Sequence, residues 1–375
     1  MKIALQRVGL LAASFLTALL VAEVAIRLFI YVPRGTPYVA ENPDTIYDNK
    51  PNISGSHASP GEFSYQFKTS SRGFRSGELQ AISIPRVLCL GDSFTFGIGA
   101  DDAKTWPAQL EAGLKNTGKK AEVINAGVMG WGLAEYWVWT RLHAAELHPQ
   151  LIVVGCHAGD WENAAYGLVS LDSTGTLTRH QVIRKDVSRL KRIADHIPLY
   201  DFLMAHSAIA NLIKQSVIRV TNAGTTGGVS TNPLDGAIDR SGYETAKFEQ
   251  LAPLNQALLR ELQQTATDVH AGLLVVFIPS YGEMTPAGDP GAGHKLFRER
   301  LKTWTQKFEI SFVDTTPFLK GYMEKNLLPV SALYYPKNEH CTDMGYEIIS
   351  KAVFDIVSAH PEWLTSGSNR SAAIR

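Results

Sequence analysis

A serine just past the end of an apolar run is the first residue whose setting suggests chemistry. Arg86–Leu90 reads RVLCL, and Gly91-Asp92-Ser93-Phe94-Thr95-Phe96-Gly97 follows it directly. A short apolar run broken by glycine suits a buried strand leading into a tight turn. Functional residues of open parallel sheets collect at the carboxyl ends of strands. A serine there, entering a helix, presents its hydroxyl beside backbone N–H groups of the kind a tetrahedral oxyanion requires. A serine hydroxyl alone is a poor nucleophile, so a base must lie nearby. Of the 11 histidines, His340 stands out, because Tyr334–Thr342 is a loop between the last expected strand and the last expected helix. That loop should emerge near the edge that carries Ser93. Serine early and histidine late then define one candidate pair, and the chemistry such a pair performs is acyl transfer.

The elements that must position the pair alternate short apolar strands with longer helical patterns. After Arg86–Leu90, helical spacing covers Trp106–Leu114, then strand Ala121–Asn125, helix Gly132–Leu147 and strand Leu151–Cys156. The rhythm resumes with a helix near Glu244–Thr267, strand Leu273–Ile278, helix His294–Phe308, strand Ile310–Val313 and a last helix from Asp343 to Ala359. This alternation implies βαβ units and a parallel, buried sheet. The expected fold is α/β: a doubly wound, mostly parallel sheet with flanking helices, a helical insertion and an N-terminal transmembrane helix. The expected boundaries are an anchor over 1–32, an extended approach segment over 33–85, the α/β domain over 86–360 with its insertion at 164–245, and a tail over 361–375. Within the approach segment Phe63–Phe67 suggests a short strand. Within the insertion Asp186–Val220 reads as helical apart from Pro198, and the Gly/Thr/Ser-rich Thr221–Gly242 as mobile.

The chain resembles the SGNH/GDSL hydrolases in its Gly-Asp-Ser turn, in the later block Asn125-Ala126-Gly127-Val128-Met129-Gly130 and in its C-terminal histidine block. The resemblance covers roughly residues 70–360 and includes Ser71-Arg72-Gly73-Phe74-Arg75 upstream. An N-terminal helix ending in Glu-x-x-x-Arg is similar to the single-pass, membrane-anchored bacterial subgroup. The resemblance implies Ser93 as nucleophile, His340 as base, and an oxyanion hole from the backbone N–H of Ser93, Gly130 and a third-block residue. Two positions depart from the family's pattern. The third block, Val153-Val154-Gly155-Cys156-His157-Ala158-Gly159-Asp160, lacks the usual Asn; Asp160 either replaces it or caps the local turn, and Asn163 is a stand-in donor. An ionised carboxylate there would repel the developing charge. The acid expected two or three residues before His340 is replaced by Asn338 and Lys337. Asn338 can hold the imidazole without neutralising it, Glu339 points the other way in an extended loop, and Asp343 is expected to cap the last helix.

Composition narrows the rest. Residues 8–32 are almost continuously apolar, and a helix of that length crosses a bilayer core of about 30 Å. Lys2 and Arg7 favour a cytoplasmic N-terminus and an extracytoplasmic domain, periplasmic or at the cell surface. Glu23 and Arg27 interrupt the run four residues apart, where they can pair. No small-x-small cleavage site precedes them, so an uncleaved anchor is expected. With 36 basic and 36 acidic side chains, nothing points to nucleic acid. Cys89, Cys156 and Cys341 cannot form a disulfide framework and read as buried thiols. Trp131 and Trp161 flank the site as core residues rather than sugar platforms. His143 and His148 lack partners at ligand spacing, so no metal and no cofactor are expected. The expected function is a Ser-His esterase or acylhydrolase on acyl esters, acetyl included, of envelope or secreted carbohydrate. The alternatives are an O-acyltransferase on polysaccharide and a non-catalytic SGNH domain that binds glycan or a partner protein.

Overall fold

The computed structural model describes residues 2–29, 38–59, 61–80, 83–181, 200–214, 216, 240–285 and 288–364. The proposed break at Pro198, most of Thr221–Gly242, and residues 365–375 of the tail lie outside these. The chain divides into two units, one comprising 1–37, 55–64 and 185–237, the other the remainder.

The larger unit is built on a five-stranded sheet of β5 (Arg86–Gly91), β6 (Glu122–Asn125), β7 (Leu151–His157), β10 (Gly272–Ile278) and β11 (Ser311–Asp314). Every pairing is parallel, and the spatial order is β11-β10-β7-β5-β6. These strands read as near-continuous apolar runs because both faces are covered. Val87, Leu88, Cys89 and Leu90 are fully buried, as are Ile152, Val153 and Val154. On one face lie α4 (Leu133–Leu147), α6 (Arg240–Asp268) and α8 (Ala292–Lys307); their side chains share a core with Leu88, Leu90 and Val154. On the other, α3 (Trp106–Asn116) and α10 (Asp343–Ala359) pack with Val87, Cys89 and Val276. The strands and helices expected on either side of the insertion are present with ends shifted by a few residues. Helix α9 (Thr316–Asn326) was not expected. Its apolar residues are few and only Thr316 and Leu319 are buried, so periodicity gave no signal.

Strand order fixes where a site belongs. Numbered by appearance in this sheet, the order is 2-1-3-4-5, and the direction of progression reverses between β5 and β7. Crevices at such a switch point, at the carboxyl ends of the strands, are where open α/β sheets bind ligands. The register there is Gly91 opposite Gly155, so Ser93 and His157 each lie two residues beyond a matched pair.

The approach segment carries more structure than expected. It contains β1 (Val39–Asn42) paired antiparallel with β2 (Ile46–Asn49), then β3 (Ser54–Ser59) and β4 (Phe63–Lys68). Tyr38, Phe67 and Phe96 form a ring cluster, with Tyr38 stacked on Phe96 at 4.8 Å and edge-on to Phe67 at 4.9 Å. The insertion also contributes a small hairpin, β8 (Val169–Leu171) with β9 (Leu177–Arg179), to the larger unit.

The smaller unit contains α1 (Lys2–Phe29) and α5 (Tyr200–His206), with residues 208–214 also helical. Gln6–Leu28 is a 23-residue stretch long and apolar enough to cross a membrane.

Candidate active site

Ser93 opens α2 (Ser93–Phe96), a single turn leaving the end of β5. Asp92 caps it: Oδ1 accepts the Phe94 N–H at 2.8 Å, and the Asp92 carbonyl accepts from Thr95 at 3.2 Å and Phe96 at 2.9 Å. The Ser93 N–H is left without an acceptor among the described residues. The turn needs glycine before it, since a Cβ on Gly91 would lie 1.9 Å from Thr95 Oγ1. It is locked from behind by Arg75, whose guanidinium donates to the carbonyls of Phe96, Gly97 and Ala100 and pairs with Asp102 at 2.9 Å. The Arg75 side chain is wholly buried, and its guanidinium sits 4.7 Å over the Phe96 ring. Asn125 at the end of β6 adds a bond to the Thr95 carbonyl at 2.9 Å. The upstream block and the second block therefore hold the serine turn rigid.

Ser93 is 9% exposed, and its Oγ lies 2.8 Å from His340 Nε2. On the other side of the ring, Nδ1 lies 2.6 Å from Asn338 Oδ1 and 3.1 Å from the Asn338 backbone carbonyl. A carbonyl only accepts, so Nδ1 carries the proton and Nε2 is free to accept from the serine hydroxyl. The Asn338 backbone carbonyl, which no turn of the amide alters, favours the same tautomer. The loop that makes the contact is short and closed, with Tyr335 N–H bonded to the His340 carbonyl and Glu339 N–H to the Tyr335 carbonyl. Glu339 takes a left-handed conformation with φ of 64° and is exposed, which turns Glu339 outward and His340 inward. Phe94 supports the imidazole by stacking, with ring centroids 4.7 Å apart. Asp343 does not cap the last helix as expected; Thr342 does, its hydroxyl accepting the Gly345 N–H. Thr caps as well as it does because its oxygen reaches the same N–H while Asp343, one residue on, is already helical.

Gly130 sits in a turn at φ of 78°. Its carbonyl is held by Tyr47 Oη and Asn163 Nδ2, both at 2.9 Å, and its own N–H meets no acceptor among the described residues. Asn163, considered above as a donor to the oxyanion, thus spends its amide on shaping the Gly130 turn. Trp131 and Trp161 are buried at 0% and 1% exposure and are core residues.

Asp160 is buried and faces inward. Its Oδ2 accepts from Tyr136 Oη at 2.7 Å and from the His157 N–H at 3.0 Å. Burial pushes its carboxyl well above the ordinary range, and the neighbouring Asp92 adds to the rise. Burial likewise raises Asp92 to about 7. His157, quoted in the third block but given no role by sequence, ends β7 beside Ser93. Its Nδ1 accepts the Gly159 N–H at 3.2 Å, so the proton sits on Nε2, which has no partner among the described residues. Its ring stacks on Phe94 at 4.4 Å. Burial, then the nearby His294 and His340, hold its pKa down at about 3, so it is a neutral donor. Its place follows from the register of Gly91 with Gly155, which no local sequence pattern records. Asp92, His157 and Asp160 also bring one ligand atom each within 4.8 Å of one another. Those side chains are already engaged with the protein's own N–H and O–H groups. Cys89, Cys156 and Cys341 are free and buried.

A serine at a switch point, hydrogen-bonded to a histidine of fixed tautomer and flanked by unpaired backbone N–H groups, is the layout of acyl-ester chemistry. The chain belongs to the GDSL-like Lipase/Acylhydrolase family, whose model matches residues 89–348. Similar solved structures include a member of the lipolytic protein G-D-S-L family from Veillonella parvula DSM 2008 (11% identity, 73% of this chain and 98% of that chain, TM-score 0.40). Others are a catalytic mutant of an acetylxylan esterase from Geobacillus stearothermophilus (15%, 77% and 100%, 0.42) and a GDSL-like lipase from Bacteroides thetaiotaomicron VPI-5482 (13%, 73% and 88%, 0.36). A search of curated proteins gives no significant match.

Proposed function

We propose that the chain is a membrane-anchored serine esterase in which Ser93 Oγ attacks an acyl carbonyl while His340 Nε2 takes its proton. The observation that carries this reading is the 2.8 Å contact between Ser93 Oγ and an Nε2 that must be the acceptor. The carbonyl oxygen becomes an oxyanion held by the Ser93 and Gly130 N–H groups. Asp160 is a support beneath this site rather than a donor in it, and His157 Nε2–H is the third donor in place of the missing Asn. The imidazolium then returns its proton to the leaving alkoxide, and the acyl group remains on Ser93 until water or another hydroxyl removes it. Asn338 keeps the tautomer but supplies no counter-charge. With no carboxylate beside it the imidazolium lacks that stabilisation, so turnover is slow by the standards of its class.

The reading extends to place and substrate. Lys2 and Arg7 in the first turns of α1 support an extracytoplasmic domain, and the esters then available are acyl or acetyl groups on envelope or secreted carbohydrate. A carbohydrate hydroxyl that reaches the acyl-enzyme before water would make the same site an O-acyltransferase.

The test is labelling of the detergent-solubilised full chain with a fluorophosphonate, wild type beside Ser93→Ala, with the adduct located by mass spectrometry. An adduct on Ser93 that is absent from the variant is expected. A folded wild-type protein that takes up no label would sink the catalytic reading and leave a binding domain.

A further inference from the structure

A carboxylate inside an apolar anchor is expensive. Glu23 lies within the Gln6–Leu28 stretch, and the esterase reading gives it nothing to do. The smaller unit shows where its charge is used. Glu23 Oε1 accepts from the Ala208 N–H at 2.7 Å and from Arg27 Nε at 2.8 Å. Its Oε2 accepts from the Ile209 N–H and the Ser207 hydroxyl, each at 3.0 Å. Arg27 Nη2 reaches across to the His206 carbonyl at 2.5 Å. The pair thus grips the junction between α5 and the helical residues 208–214, a carboxylate at the start of one helix and a guanidinium at the end of the other. Residues 6–21 of α1 are exposed, and cover begins at Ala22, Glu23 and Ile26.

The gripped segment has an apolar exterior. Met204, Ala208 and Asn211 are buried, whereas Phe202 is 58%, Leu203 39% and Ile213 59% exposed. Glu23 stands five residues before the end of the span, roughly 7.5 Å of helix rise. Amphipathic helices that lie in a bilayer interface bury their apolar face about 5–10 Å deep. The junction is therefore held at the depth where such a helix rests, with Arg27 and the exposed Lys214 as cations for headgroup phosphates. We propose that residues 200–214 lie in the interface of the bilayer that α1 spans, with Phe202, Leu203 and Ile213 in lipid and Glu23 and Arg27 as the latch that keeps them there. This rests on the membrane reading of α1 and is independent of the esterase chemistry.

The test uses the full chain in phosphatidylethanolamine–phosphatidylglycerol vesicles. Because the three native cysteines are buried, nitroxide labels can be placed singly through Ser14→Cys, Phe202→Cys, Ile213→Cys and Lys351→Cys. Relaxation by oxygen and by a water-soluble nickel chelate is then compared. Labels at 14, 202 and 213 should favour oxygen and the label at 351 nickel. Adding Glu23→Ala should shift 202 and 213 at least threefold toward nickel and leave 14 unchanged. If 14 itself favours nickel, the anchor reading fails and this inference falls with it. If 14 favours oxygen while 202 and 213 favour nickel, the inference alone is overturned. Labels at 202 and 213 shielded from both reagents would mean that protein covers the face, which also overturns it. Lipid exposure unaffected by Glu23→Ala would remove the latch.

Discussion

The two sides of Ser93 avoid negative charge in different ways. Toward solvent stand His340 and Asn338, the second an amide that is neutral at every pH. Toward the core stand Asp92, Asp160 and Glu135, three carboxyl groups whose burial raises their pKa values. The family's pattern leads one to expect the acid on the first side, and the chain keeps its acids on the second. An ionised carboxylate at Asp92 Oδ2, 3.4 Å from Ser93 Oγ, would oppose an oxyanion forming at that serine. A proton on Asp92 removes the conflict, and burial pushes its carboxyl in that direction. The lesson is that a carboxyl group near a site is read by its environment before its type. The solvent side is thus where catalytic effects should be large, and the core side where effects should be on stability and its pH dependence.

The largest effect tests the solvent side. His340→Ala removes the nearer of the two acceptors that Ser93 Oγ meets among the described residues, leaving Asp92 Oδ2 at 3.4 Å. Hydrolysis of p-nitrophenyl acetate should fall by at least about 10³, since loss of the histidine in a serine hydrolase costs up to about 10⁶. A drop of less than tenfold would mean that another base serves, and Asp92 would become the candidate.

Gly130→Ala should come next. An added Cβ would lie 2.5 Å from Tyr47 Oη at a residue with φ of 78°. The turn must shift, and the Gly130 N–H with it. Loss of one oxyanion donor costs about 10²–10³ in kcat, with KM little changed. A KM effect without a kcat effect would place Gly130 in substrate binding instead.

Asn338 sharpens the comparison most directly. Asn338→Asp puts a carboxylate beside the imidazolium on the solvent side, and kcat should rise about tenfold or more. Asn338→Leu should cost less than about tenfold, because the backbone carbonyl still fixes the tautomer. A fall in kcat for Asn338→Asp would show that neutrality on this side is required.

What could be read from the sequence follows the same divide. Ser93, His340 and the sheet were legible because each is announced locally, by a turn at a strand end or an unbroken apolar run. His157 and Asp160 were not, because their roles depend on a strand register and on burial that no local pattern records. Arg75 belonged to a recognised stretch, yet its work on three carbonyls of the serine turn exists only in three dimensions. Thr342 rather than Asp343 as the cap is a one-residue difference of the kind that side-chain reach decides.

The smallest effect tests the core side. Glu135 is 1% exposed. It accepts the Gly132 N–H at 3.0 Å through Oε2, while Oε1 has no partner among the described residues. Burial raises its pKa from the ordinary 4.5 to about 8, so the folded protein holds a proton that the unfolded chain has released. Between those values the unfolded state binds fewer protons, and the slope of stability with pH is negative. Its contribution is whole below about 4.5 and is lost as pH rises through about 8. The slope is at most about 1.4 kcal/mol per pH unit. Thermal melts between pH 5.5 and 8 should therefore show Tm falling toward alkaline pH. Glu135→Gln keeps an acceptor for Gly132 but cannot ionise, so its Tm should fall less over that range, with kcat nearly unchanged. An unaltered slope in the variant would mean that Asp92 and Asp160 carry the pH dependence, and the core-side proton would then belong beneath the serine itself.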